Sequence, residues 1–245
     1  MKGHGADTQQ AVLDMAIGSV DDSFEGCAEK MSDRVSSKYL DKEKNSSENI
    51  SKAWKDAEKY RKAPGDGLNI LNSVAIHLYT EVSHKMYLEL NEAVGAGRDA
   101  YKNETFKLYS FYFLLTDAIK RLKRTQRDCV TVYRRTKRKY TTENVLHQTV
   151  RFGRFTSSSL NYALTTSFGS ESCFEIYTCF GADISHYSAL EHEKEVLIPP
   201  YEIFNVTGIS KDQSWCTVVF RLESVGCRSD LNCAFFPSAE QQGPE

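Results

Sequence analysis

The chain has no Cys-x-x-Cys among its cysteines (27, 129, 173, 179, 216, 227 and 233), and its histidines (4, 77, 84, 147, 186 and 192) show no His-x-x-x-His spacing. A zinc site of regular spacing is therefore excluded, and no metal is expected. Gly95-Ala96-Gly97 lacks the third glycine of a dinucleotide fingerprint and no good strand precedes it, which argues against a Rossmann dehydrogenase. There is no Gly-x-Ser-x-Gly, the strained turn that exposes a serine nucleophile. No run is long and apolar enough to cross a bilayer, no internal repeat occurs, and low-complexity sequence is scarce. Strong charge is missing too. A formal net charge of −2 excludes a globally basic nucleic-acid binder and a polyanion alike.

What is present suits a folded domain. At 245 residues and 40% hydrophobic composition the chain can bury a substantial core and need not exceed one domain. The first half reads helical: residues 53–61 form a short helix stopped by Pro64-Gly65-Asp66-Gly67. Leu71, Val74, Ala75, Leu78, Val82, Met86 and Leu90 keep helical spacing up to Gly95, and Leu108, Phe111, Tyr112, Leu115, Ala118, Ile119 and Leu122 form a second stripe. Residues 41–51 read as a polar loop and 238–245 as a frayed tail. From Cys129 the pattern changes to short β-branched and aromatic runs at 130–133, 150–155, 173–179, 201–207 and 217–222. Helices followed by strands predict an α+β fold.

Three segments of the second half carry chemistry. Glu193 and Glu195 stand just before Val196-Leu197-Ile198 and Pro199-Pro200. In an extended strand they point the same way, and each carboxylate perturbs the other's ionisation. A solvated strand edge carries such a pair equally well. The pair gains weight from two preceding segments, Val132-Tyr133-Arg134-Arg135-Thr136 and the run from Arg151 through Ser159. Basic residues cluster between 120 and 139 with Asp128 alone opposing them; most read as a solvated helix end and hairpin, Arg134 excepted.

Together with Leu13-Asp14-Met15, Asp21-Asp22 and the block Glu195-Val196-Leu197-Ile198-Pro199-Pro200-Tyr201-Glu202, these segments resemble the vertebrate arginine-specific mono-ADP-ribosyltransferases, ecto-enzymes with an Arg-Ser-Glu site. The resemblance runs as far as Cys233. It implies one catalytic domain over 1–245, with a helical part at about 13–128 packed on a mixed or antiparallel β-sandwich core at about 129–233, and a tail at 234–245. It also implies the disulfides Cys27–Cys233 and Cys129–Cys179, which leaves Cys173, Cys216 and Cys227, an odd number. Sequons at Asn45, Asn49, Asn103 and Asn205 permit glycosylation in an extracellular setting. No signal peptide or hydrophobic C-terminal tail is evident, so the sequence reads as a processed or trimmed ectodomain, or as a form lacking these parts, with membrane attachment only through an anchor not in it.

The implied reaction splits NAD or NADP and passes ADP-ribose to an arginine or small guanidine. Nicotinamide leaves neutral, so the enzyme must steady an oxocarbenium-like ribose, hold the diphosphate and activate the acceptor. By resemblance Glu195 takes the first task. Arg134 suits the second, since a guanidinium offers planar donors to phosphate. Ser157 orients the glutamate or the ribose, and Glu193 binds and deprotonates the acceptor guanidinium. Phe168 resembles an aromatic near the nicotinamide and Asn91 a helix-borne NAD contact. Arg135 stands among the donor contacts where the family usually has glycine. The alternatives are an NAD glycohydrolase, against which Glu193 speaks, and a cell-surface binding module whose site has decayed.

Overall fold

The computed structural model describes residues 10–236, so the tail expected at 238–245 lies outside the described residues. Seven helices precede eight strands: α1 (Ala28–Arg34), α2 (Leu40–Lys44), α3 (Glu48–Tyr60), α4 (Ile70–Thr80), α5 (Met86–Gly95), α6 (Arg98–Lys102) and α7 (Tyr109–Thr125), then β1 (Val130–Thr136), β2 (Thr149–Val150), β3 (Thr156–Ser159), β4 (Ser172–Thr178), β5 (Ala182–Asp183), β6 (Glu195–Ile198), β7 (Glu202–Gln213) and β8 (Cys216–Cys227). A π turn over Val35–Tyr39 joins α1 to α2.

The helical layer forms where apolar side chains recur on one face. Phe111, Tyr112, Leu115, Ala118, Ile119 and Leu122 of α7 are all buried, as their spacing predicts, against Trp54 of α3 and Val74, Ala75 and Leu78 of α4. Each such large side chain contributes roughly 1.5–3 kcal/mol by leaving water. Two expectations fail here, each through a polar side chain spent on the backbone. The region 41–51 is no loop: α2 occupies its start and the Ser47 side chain caps α3 by accepting from the Ile50 N–H. Its polarity is explained by Glu43, whose buried carboxylate accepts from Ser110 N and Phe111 N at the start of α7. The stripe from Leu71 to Leu90 is likewise two helices. Glu81 accepts from Ser83 N and His84 N, ending α4, and Lys85 sits in the left-handed region (φ 53°) before α5 begins.

The strands form one mixed sheet in the order β2-β7-β8-β4-β1-β3-β6-β5, with β4 and β8 parallel and the other pairs antiparallel. Val196 and Ile198 of β6 share a core with Phe204 and Val206 of β7, although the two strands lie towards opposite ends of the order. The sheet therefore curls over itself as a sandwich does, with the helices against its other face. The run 150–155 is not a strand. After β2 the Arg151 guanidinium turns into a fully buried pair with Asp21 (2.7 Å), and Gly153 takes φ 64°, where an added Cβ would lie 2.4 Å from Ala16 Cβ. Only glycine fits that approach at no steric cost. Its turn delivers β3 to the middle of the sheet.

Cys27–Cys233 and Cys129–Cys179 are bonded as the resemblance implied, and Cys173 joins Cys216. Cys227 is an exposed free thiol.

Candidate active site

Glu195 opens β6 on the face it shares with Leu197, because strand side chains alternate. Leu197 packs into the helix-side core, while Val196 and Ile198 enter the sandwich core. The pairing of β3 with β6 sets Ser157 opposite Leu197 and Ser159 opposite Glu195, so both serines share the Glu195 face. Glu195 is 5% exposed. Burial pushes its carboxyl up to about 7; the Ser157 hydroxyl and the Arg134 guanidinium pull it back, and the Glu193 charge adds to the rise.

Arg134 comes from β1, which pairs with β3 at a single position, Tyr133 with Ser159. Its Nη1 donates to the Ser157 carbonyl (2.8 Å), so the guanidinium bridges the two strands. Neither Arg134 nor Arg135 has a carboxylate within 4.0 Å among the described residues.

Strand alternation does not place Glu193. Residues Glu191–Glu193 form a 3-10 turn, Lys194 is left-handed (φ 47°), and β6 starts only at Glu195. The turn still brings both carboxylates to one cleft, because it is tied to the end of β3 and the residue after it: Ser159 Oγ donates to the Glu193 carbonyl (2.7 Å), and Leu160 N donates to the carbonyl of Lys194, which follows the turn (3.1 Å). From the helical side, Lys62 pairs with Glu191, and Thr80 Oγ1 accepts from Ala189 N.

Arg134, Arg135, Ser157, Phe168, Glu193 and Glu195 all line this cleft. Phe168 stands at its mouth, half exposed, at the end of a 3-10 turn over Tyr162–Phe168. Asn91 does not line it. Its Nδ2 donates to Tyr79 Oη (3.0 Å) and its Oδ1 accepts from Phe155 N (3.0 Å). It thereby holds Tyr79, whose hydroxyl lies 3.4 Å from Ser157 Oγ and 3.2 Å from the Phe155 carbonyl that it can reach as donor. Burial pushes the Tyr79 phenol up to about 12, so it remains a neutral donor. Sequence reasoning missed Tyr79. Its one signal was a hydroxyl-bearing ring among the buried positions of α4.

If the ionised Glu195 does the chemistry, its raised pKa sets an acid limb. The carboxyl is neutral below about 7 and charged above it, so kcat/KM for NAD should climb as pH rises through that value. Glu193→Gln removes a like charge and should move the limb to lower pH. A pH–rate profile of nicotinamide release reads both; a flat profile from pH 5 to 9 would contradict the assignment.

Residues 13–230 match the family model described as NAD:arginine ADP-ribosyltransferase. The chain belongs to the NAD:arginine ADP-ribosyltransferase family. It is 32% identical to ecto-ADP-ribosyltransferase 5 of Homo sapiens over 245 residues, covering 94% of this chain and 83% of that protein. It is also 32% identical to NAD(P)(+)-arginine ADP-ribosyltransferase 1 of Gallus gallus over 243 residues, covering 95% and 76%. Among solved structures, the eukaryotic mono-ADP-ribosyltransferase ART2.2 superposes with a TM-score of 0.76 at 30% identity, covering 91% of this chain and 98% of that one. Mutants of ART2.2 have been solved with NADH and with NAD. The α+β architecture expected of an ADP-ribosyltransferase is the one found. No group of three or more metal-type ligands occurs among the described residues.

Proposed function

We propose that this chain cleaves NAD at the nicotinamide–ribose bond and transfers ADP-ribose to the side chain of arginine. The observation that carries the reading is the convergence of Glu193, Glu195, Arg134 and Ser157 on one cleft. As the C1′–N bond breaks, its electron pair leaves with nicotinamide, which departs neutral, and positive charge develops on the ribose. The Glu195 carboxylate, nearly out of water and steadied by the Ser157 hydroxyl, stabilises that charge. Arg134 offers its free donors to the diphosphate. A guanidinium nitrogen attacks C1′ while Glu193 takes the displaced proton. Tyr79 and Asn91 act through Ser157 as positioning residues, and Phe168 covers the nicotinamide. The names of the relatives, arginine ADP-ribosyltransferases that use NAD(P), support the donor and the acceptor alike.

The same names support an extracellular location: relatives are ecto-enzymes, and one from Mus musculus is GPI-linked. Three disulfides fit an oxidising compartment. Asn45, Asn49 and Asn103 of the sequons are exposed, whereas the Asn205 amide oxygen is buried without a partner.

Glu193→Gln separates transfer from hydrolysis. It keeps the shape of the side chain but loses the charge that pairs with guanidinium and the basicity that deprotonates it. Labelling of agmatine should fall by about a hundredfold or more, as loss of a general base does. Slow nicotinamide release should persist, because Arg134, Ser157 and Glu195 are untouched. Both activities are to be followed on one sample. A proportional fall in the two would place Glu193 in the donor site instead.

A further inference from the structure

Arg135 lines the cleft as a charged side chain that the proposed reaction leaves unused. It is 9% exposed, and its buried Nε has no partner. Nη1 donates to the Trp215 carbonyl (2.9 Å), and the guanidinium lies over the Trp215 ring at 5.2 Å. No carboxylate pairs with it among the described residues. A guanidinium so far out of water and without a counter-charge is costly, and a stacked ring offsets only part of that cost. An anionic ligand would offset the rest.

The setting of Arg135 is built rather than incidental. Its cross-strand neighbour on β4 is Cys173, which is bonded to Cys216 at the start of β8. Gln213 pairs with Cys216, so Ser214 and Trp215 form a two-residue hairpin turn. The disulfide thereby pins that turn beside Arg135. Arg135 and Trp215 also line an open hollow with Ser170, Ser214 and Thr217. The hydroxyls of these three make no hydrogen bond among the described residues, and no Asp or Glu is found in the described lining. Guanidinium and hydroxyl donors without a carboxylate select an anion over a cation, and tetrahedral oxyanions suit a guanidinium fork.

We infer that Arg135, the disulfide-pinned Trp215 turn and the hydroxyls of Ser170, Ser214 and Thr217 form a phosphate-monoester subsite adjoining the catalytic cleft. The inference rests on the donor reading only for what brings the phosphate there. Two sources share the chemistry: the 2′-phosphate of NADP, and a phosphate carried by the acceptor near its arginine. Arg135 then favours phosphorylated substrates over their unphosphorylated counterparts.

Tryptophan fluorescence gives a readout independent of turnover, since Trp54 is sealed in the helical core and Trp215 is at the site. The whole protein is titrated with inorganic phosphate, AMP, adenosine 2′,5′-bisphosphate and NAD. A saturable phosphate response is expected, weakened at least roughly tenfold in Arg135→Gln and by a smaller factor in Ser170→Ala, whose exposed hydroxyl is dispensable for folding. Preference for the bisphosphate over AMP, lost in Arg135→Gln, assigns the phosphate to the donor. A response that depends on Arg135 but shows no such preference keeps the subsite and assigns the phosphate to the acceptor. No phosphate response in the parent, or one that both variants retain in full, overturns the inference. Failure of NAD alone to bind, with the phosphate response intact, counts against the proposed donor and not against the subsite.

Discussion

Glu195→Gln is expected to stop nicotinamide release to water and to guanidine alike, by a hundredfold or more, about 3 kcal/mol in the barrier. Both outcomes pass through the same ribosyl cation, and glutamine keeps the shape of glutamate while removing the charge aimed at it. The variant should fold. Its stability carries a second signature, because the carboxyl is pushed up to about 7 in the folded protein from an ordinary value of 4.5. Between those values the folded state binds more protons than the unfolded one, so this group lowers stability as pH rises through the window. Above about 7 the cost is complete, on the order of a few kcal/mol. Glutamine does not titrate. The stability of Glu195→Gln relative to the parent should therefore improve from pH 5 to pH 8 and then level off. Denaturant unfolding at those pH values, beside nicotinamide release at pH 8, measures both parts. Near-normal cleavage by the folded variant would remove Glu195 from the centre of the mechanism.

The other large effect is on stability. Cys27–Cys233 closes a loop of 206 residues, which in the chain-entropy model is worth roughly 5 kcal/mol. It also joins segments that hold each other through the Asp22 carboxylate, which accepts from Phe24 N, Cys233 N and the Tyr101 hydroxyl. Replacing both cysteines by serine should lower Tm by roughly 10–20 °C for a chain of this size. Reduction of the wild type should go further and take activity with it, since Cys129–Cys179 ties the start of β1 to the end of β4, a few residues from Arg134. Equal Tm values for the parent and the double variant would show that the loop closure adds nothing. Free thiols at all seven cysteines of an active sample would overturn the pairing and the extracellular assignment together.

The sequence made the α+β order legible because the period of burial changes near Cys129: Phe111 to Leu122 repeat as a helix does, while Val130 to Tyr133 are β-branched and aromatic. It hid the helices between residues 28 and 52, whose polar residues serve contacts far along the chain, Glu43 with the start of α7 above all. Arg134, Ser157, Phe168 and the two glutamates were legible as motifs, and the structure brings them to one cleft. Strand alternation does not position Glu193. A left-handed Lys194 and a 3-10 turn put it there, and neither leaves a mark in alternation. Tyr79 lies 78 residues from the serine it touches, and Trp215 lies 80 from Arg135, so no local pattern could join either pair.

The most direct measurement is incubation of the purified chain with labelled NAD, with and without excess agmatine, scoring nicotinamide and ADP-ribosyl-agmatine on the same sample. With agmatine present, label should appear on agmatine in step with nicotinamide released, and free ADP-ribose should be the minor product. Nicotinamide release with all of the label in free ADP-ribose, at every agmatine concentration, would make the chain a hydrolase and contradict transfer to arginine.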